Sequence, residues 1–306
     1  MSDLIVRLLA DFGEFMRLRV ADGDASAHTV RNYHTQAGLW VAWCNERGIN
    51  PALATEADVT DYRRYLVEQS YSRETIALKL AVVRRLYEAA TWRGLRLDNP
   101  AAGIKAPREK TARAERVKFL PLAAVGALLA APAGDTPQAK RDRAILALMV
   151  LHGPRVAEVA GAGLDDLSLE RGTLTVHGKG RKTRTIYLTE RTARLLADWL
   201  EARVGLPGEP ALFVVLGHNG TGGRMTTRAI RYLVDGYLEQ IGQKAAGVSC
   251  HSLRHSAATW ARAGGATQEA VGDMLGHANP ATTAIYTHLV NRMAENPAAY
   301  LERLLG

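Results

Sequence analysis

H-S-L-R-H-S at 251–256, M-L-G-H at 274–277 and T-T-A-I-Y-T-H at 282–288 are the stretch on which the reading of this chain turns. Two histidines, an arginine and a tyrosine follow in an order that suits attack on a phosphodiester by a tyrosine hydroxyl. The non-bridging oxygens of a phosphodiester gain charge as phosphorus becomes five-coordinate, and the planar fork of an arginine offers them two parallel charged hydrogen bonds. Arg254 is placed for that role. His251 precedes it by one helical turn, so both side chains share a face. Tyr286 is the candidate nucleophile. A phenol with a pKa of about 10 needs a base and local positive charge to attack near neutrality. His251 is assigned the proton, and His277 a hydrogen bond to the same phosphate. Taken singly, a His-x-x-Arg is usually a surface pair and a tyrosine near a chain end usually packs; the ordered set is what points to chemistry.

Working outward, G-P-R-V-A-E at 153–158 supplies a second arginine. Pro154 suits a first helical turn, which puts Arg155 at a helix N-terminus, where backbone N–H groups and the dipole also favour an anion. Glu158, one turn on, reads as a support for an active-site side chain. Residues 173–188 change period: T-L-T-V-H and R-T-I-Y-L are strand-like and joined by G-K-G-R-K, a β-hairpin with Lys179 at its tip. The G-K-G lacks the spacing and the Ser or Thr of a P-loop. A lysine there reads either as a proton donor to a leaving oxygen or as a basic contact to DNA backbone.

The flanking segments are helical. In residues 1–107, apolar stripes and the caps Ser26, Thr55 and Ser72 predict four helices in a small bundle. Arg31, Asn32, Arg73, Lys79 and Arg84 are read as its exposed basic face, fit for a major groove, with a merely solvated surface as the even alternative. Residues 98–118 read as a basic connector suited to a clamp around a duplex, with 108–118 as the linker proper. The second domain spans 119–306. It has helices over 122–131, 137–152, 190–204, from Thr226, around 251–254 and over 267–275. Arg181 and Lys182 on the hairpin, and Arg228 and Arg231 after Thr226, are candidate DNA contacts. The fold class expected is mainly α with a small antiparallel β-hairpin.

At 306 residues there is room for two cores. The net charge of +8 favours a polyanionic partner, most simply nucleic acid. Cys44 and Cys250 stand in no metal-type spacing and read as free thiols, so no metal is expected. The first residues do not form a signal peptide and no apolar run spans a membrane; a soluble, cytoplasmic protein is expected.

With these motifs, and V-H-G-K-G-R-K at 176–182, the chain resembles the tyrosine recombinases of the phage-integrase superfamily, close in layout to the Xer-type members, over nearly its whole length. Pro154 is a departure, since the family more often has leucine or another apolar residue there. The resemblance implies a helical, SAM-like core-binding domain followed by a mixed α/β catalytic domain. It assigns the catalytic set to Arg155, Lys179, His251, Arg254, His277 and Tyr286. It implies cleavage through a 3′-phosphotyrosyl intermediate and strand exchange through a Holliday junction, without metal, ATP or other cofactor. The partners implied are double-stranded DNA with an inverted-repeat core site and a tetramer on two paired sites, with room for a paralogous recombinase and an accessory activator. The tail 297–306, with Tyr300, Leu301, Leu304 and Leu305, is expected to dock on a neighbouring protomer or to pack on its own domain. The biological task implied is chromosome-dimer resolution or integration and excision of a mobile element or phage. A type IB topoisomerase and a non-catalytic DNA-binding regulator are the competing readings.

Overall fold

The structure is a computed structural model that describes residues 3–20, 25–108, 116–178, 182–203, 208–216, 222–277 and 279–294. The chain divides into two compact units, Met1–Lys110 and Thr111–Gly306.

Four helices are described in the first unit: α1 (Asp3–Arg19), α2 (Ala27–Asn45), α3 (Glu56–Glu68) and α4 (Arg73–Trp92). Each of the last three starts where a side-chain oxygen takes an orphan N–H of the first turn. Ser26 accepts from Thr29 and Ser72 from Thr75, while Thr55 and Asp58 cap each other reciprocally. Trp40, Tyr62, Tyr87 and Phe12 fill the centre. A polar thread runs through it: the Trp40 indole donates to the Tyr87 hydroxyl (3.1 Å), which donates to the Pro51 carbonyl (2.7 Å).

Three expectations for this unit are corrected. Lys79 is 6% exposed rather than on an open face; its ammonium donates to Gln36 (2.9 Å) and lies 5.2 Å from the Tyr71 ring centre. Burial holds its pKa below the ordinary lysine value. Arg84 is half-buried and donates to the carbonyls of Ala101 (3.2 Å) and Ile104 (2.8 Å). The segment read as connector from residue 98 is therefore packed in its first part, with Ala101 and Ile104 in the core. Arg84 takes two of its carbonyls, and the Asn99 side-chain oxygen accepts the Ala101 N–H (3.0 Å).

The second unit contains α5 (Leu122–Ala130), α6 (Pro137–Ala147), a π-helical turn (Leu148–His152), α7 (Val156–Gly161), β1 (Leu167–Ser168), β2 (Thr173–His177), β3 (Thr183–Tyr187), α8 (Glu190–Ala202), α9 (Thr227–Gln240), α10 (Cys250–Ala263), α11 (Gln268–Leu275) and α12 (Pro280–Ala294). The strands form an antiparallel sheet in the order β1-β2-β3, with Leu174 opposite Ile186 and Val176 opposite Arg184. Leu174, Val176 and Ile186 face the core. The hairpin is present as read from sequence, and β1 adds a short strand the sequence reading did not contain.

The helix expected over 137–152 instead widens to a π turn in its last five residues. Such a turn re-aims the chain without ending it. The His152 ring bonds Thr192 (3.0 Å), and Gly153 follows at φ 63°. A side chain at 153 would be strained by that backbone and would meet Leu275 at 2.8 Å. Among the described residues, no helix is long and apolar enough to cross a membrane.

Candidate active site

The π turn and Gly153 deliver Arg155, which caps α7 with an extended backbone. Glu158, one turn on, is almost fully buried, with its side chain 1% exposed. It receives the Arg155 backbone N–H (2.7 Å) and the Arg155 guanidinium (2.9 Å). The N–H that a helix start was expected to offer an anion is thus taken by Glu158. The Arg155 side chain remains 48% exposed. Arg184 on β3 chelates the same carboxylate through both oxygens, at 2.7 and 2.9 Å.

Arg254 comes from the second turn of α10 and is 3% exposed. It bridges two backbone carbonyls, Gly153 (2.5 Å) and Leu275 (2.6 Å). Burial, then the charge of Arg155, pushes its pKa down to about 10, which leaves it cationic near neutrality. His251, one turn earlier, is held below the ordinary histidine value by burial and then by the charges of Arg254 and Arg155. Glu158 shows the opposite balance: burial alone would raise its pKa, but the hydrogen bonds from Arg184 and Arg155 outweigh that and hold it low. Two guanidinium groups thus bind one carboxylate and a third, that of Arg254, interacts with it electrostatically, an excess of positive charge that an anion would relieve.

α11 ends at Gly276, at φ 64°, and the turn places His277 with its Nδ1 3.0 Å from the buried Thr283 hydroxyl. Tyr286 lies on α12 and is 3% exposed, packed against Ala258, Val271 and Leu275. Its hydroxyl is 2.8 Å from His255 Nδ1. The sequence reading gave that contact to His251. The structure puts His255 against the phenol oxygen, and His251 meets His255 edge-on with ring centres 4.4 Å apart. Residues 251 and 255 are four apart on one helix and so share a face.

Arg155, Glu158, His251, Arg254, His277 and Tyr286 are therefore all carried by the second unit, joined by Arg184 and His255, which sequence reasoning missed. Arg184 had a usable signal: it has the parity of the buried Ile186 on β3 and pairs with the buried Val176. Lys179 and Arg181 lie outside the described residues, as does the tail 297–306. Among the other candidate DNA contacts, Arg31, Lys182, Arg228 and Arg231 are exposed and Asn32 is half-buried. Arg73 is exposed but donates to the Pro107 carbonyl (2.8 Å), and Arg228 donates to the Tyr232 hydroxyl (3.0 Å).

Comparison with known proteins gives concordant results. The family described as "Phage integrase family" matches residues 118–292, and "Phage integrase, N-terminal SAM-like domain" matches residues 14–94. Tyrosine recombinase XerC of Vibrio campbellii is 34% identical over 287 residues, covering 92% of this chain and 87% of its own. Tyrosine recombinase XerC of Corynebacterium efficiens is 35% identical over 290 residues, covering 93% and 87%. Among solved structures, the XerH site-specific recombinase in its post-cleavage complex with palindromic difH substrate is similar in fold, with a TM-score of 0.71, 19% identity and coverage of 99% and 98%.

Proposed function

The chain belongs to the phage integrase family of tyrosine-type site-specific recombinases, and from that premise we propose how its own residues divide the reaction. The substrate is double-stranded DNA with an inverted-repeat core site, bound by two protomers, with two sites paired in a tetramer. Arg155 and Arg254 hold the scissile phosphate, and His277 adds a hydrogen bond. The Tyr286 oxygen attacks phosphorus, forming a 3′-phosphotyrosyl bond as the bond to the 5′-oxygen breaks. The phenolic proton passes to the His255–His251 pair, and Lys179 protonates the departing 5′-oxygen, which leaves as a hydroxyl. The covalent link conserves the energy of the diester, so the partner strand's 5′-hydroxyl can reverse the step onto a new strand. No metal or nucleotide enters this balance.

The observation that carries this reading is the phenol of Tyr286 hydrogen-bonded to His255 on the same helix that bears Arg254 and His251, in a unit whose guanidinium groups outnumber its local carboxylate.

The test is covalent capture. The protein is mixed with fragmented genomic DNA in EDTA, the reaction is stopped with detergent, and the DNA that stays attached is sequenced. Enrichment of one inverted-repeat site by the wild type, and none by Tyr286→Phe, is expected. Equal attachment by both proteins, or attachment that needs a divalent ion, contradicts the mechanism.

A further inference from the structure

We propose that Arg184 is a positioning residue for the phosphate clamp, setting Arg155 and Arg254 relative to one another; the proposal rests on the recombinase reading above. Arg184 is linked through hydrogen bonds towards both arginines. All three of its nitrogens donate to protein atoms. Nη1 and Nη2 chelate Glu158 at 2.7 and 2.9 Å, and Nε donates to the Met274 carbonyl (3.3 Å). Glu158 in turn holds both the backbone and the guanidinium of Arg155. The carbonyl next to Met274, that of Leu275, accepts from Arg254. One guanidinium on β3 is therefore a single link from each arginine of the clamp, and it sits at the turn that leads to His277.

The fit at that turn is close. A side chain at Gly276 would meet Arg184 Cδ at 2.8 Å, so the left-handed glycine serves both the turn and the approach of Arg184. The base of the hairpin is also near: Gly178 donates to the Lys182 carbonyl (2.7 Å), and a side chain at 178 would lie 3.6 Å from Glu158 Oε1.

Only an arginine satisfies this geometry. Its rigid fork offers parallel donors to both carboxylate oxygens with Nε left for a third acceptor, whereas lysine is a point charge on a flexible stem. Stability alone is a weak account, since replacing a buried ion pair with apolar side chains is often neutral or stabilising. Placement of two charges against one phosphate is a use that only the fork supplies.

The experiment compares single-turnover cleavage of the captured core site by wild type and Arg184→Lys on two substrates. One has the natural scissile phosphodiester. The other has a methylphosphonate, in which a methyl group replaces a charged non-bridging oxygen. A misplaced clamp costs rate where there is charge to neutralise and much less where there is none. The lysine variant is expected to lose about 10- to 100-fold on the diester, as for a misplacement of about 1 Å, and to approach the wild-type rate on the methylphosphonate. Its melting temperature and site binding should stay near those of the wild type. If the lysine variant does not fold, Arg184→Gln, which keeps a neutral donor towards Glu158, takes its place with the same expected difference in cleavage between the two substrates and a lower melting temperature. An equal loss on both substrates, or no loss on the diester, overturns the proposal while the recombinase reading stands. A wild type that forms no Tyr286-dependent adduct on either substrate overturns that reading and this proposal with it.

Discussion

Arg254→Ala is expected to abolish detectable strand cleavage while DNA binding survives. Arg254 is cationic near neutrality even though burial and Arg155 pull its pKa down to about 10. Removing a single preorganised donor to a developing oxyanion typically costs about a hundred- to a thousandfold in rate. Here the loss takes the charge and the fork together. The truncation also strips the Gly153 and Leu275 carbonyls of their donor in a buried setting. Each unsatisfied acceptor costs about 1–3 kcal/mol. Those two carbonyls belong to the segments that lead to Arg155 and His277, so the damage spreads beyond the missing side chain. Arg254→Lys separates the two effects. It keeps a positive charge but cannot bridge both carbonyls, so its cleavage rate should fall between wild type and alanine. Single-turnover rates and gel-shift affinity, measured on the same preparations, check the prediction. A wild-type cleavage rate in Arg254→Ala would refute it.

Glu158→Leu carries the second large effect, this time on stability. Its carboxylate answers Arg184 from both oxygens and Arg155 from backbone and side chain. Breaking one partner out of a buried ion pair costs about 3–5 kcal/mol, because the surviving charge stays buried and unpaired. For a unit of this size, each kcal/mol lowers the melting temperature by about 2–4 °C, so a fall of about 10 °C is expected in calorimetry. The pH dependence has a definite sign. The hydrogen bonds from Arg184 and Arg155 hold Glu158 below the ordinary carboxylate range despite its burial. A depressed folded-state pKa contributes stability that is fully present above the unfolded value of about 4.3 and is lost as pH falls through the folded value. The gap between wild type and Glu158→Leu should thus be constant near neutrality and narrow below about pH 4. A gap that widens on acidification would contradict the account.

Much of this architecture is legible in the sequence because local chemistry announces it. Ser26, Thr55, Ser72, Thr226 and Thr267 each cap the helix that follows them. The alternation over 173–177 and 183–187 gives the hairpin, and the motifs carrying Arg155, His251, Arg254, His277 and Tyr286 all fall on one unit. What escapes reading is decided by tertiary partners. Lys79 lies one turn from the buried Ile76, so its face was inward, but an amphipathic stripe does not say whether a long basic side chain reaches solvent or tucks onto a partner such as Gln36. Arg84 looks like a basic surface residue until the 101–104 carbonyls fold onto it. Arg184 follows a lysine-rich hairpin and passes for another backbone contact, although its strand parity matches that of Ile186. His255 is hidden by its neighbour: the motif draws attention to His251, and only the packing of α12 shows which ring meets the phenol. The π turn before Gly153 has no local signature, since widening a helix by one residue depends on what His152 and Leu148–Leu151 pack against.

The central claim is that the hydroxyl of Tyr286 becomes bonded to DNA. It is tested most directly by digesting the trapped protein–DNA adduct with nuclease and trypsin and locating the remaining nucleotide by tandem mass spectrometry. The account predicts a 3′-linked nucleotide phosphate on the Tyr286 oxygen, in the peptide that ends at Arg292. A nucleotide carried by any other residue, or an adduct that persists in Tyr286→Phe, would contradict it.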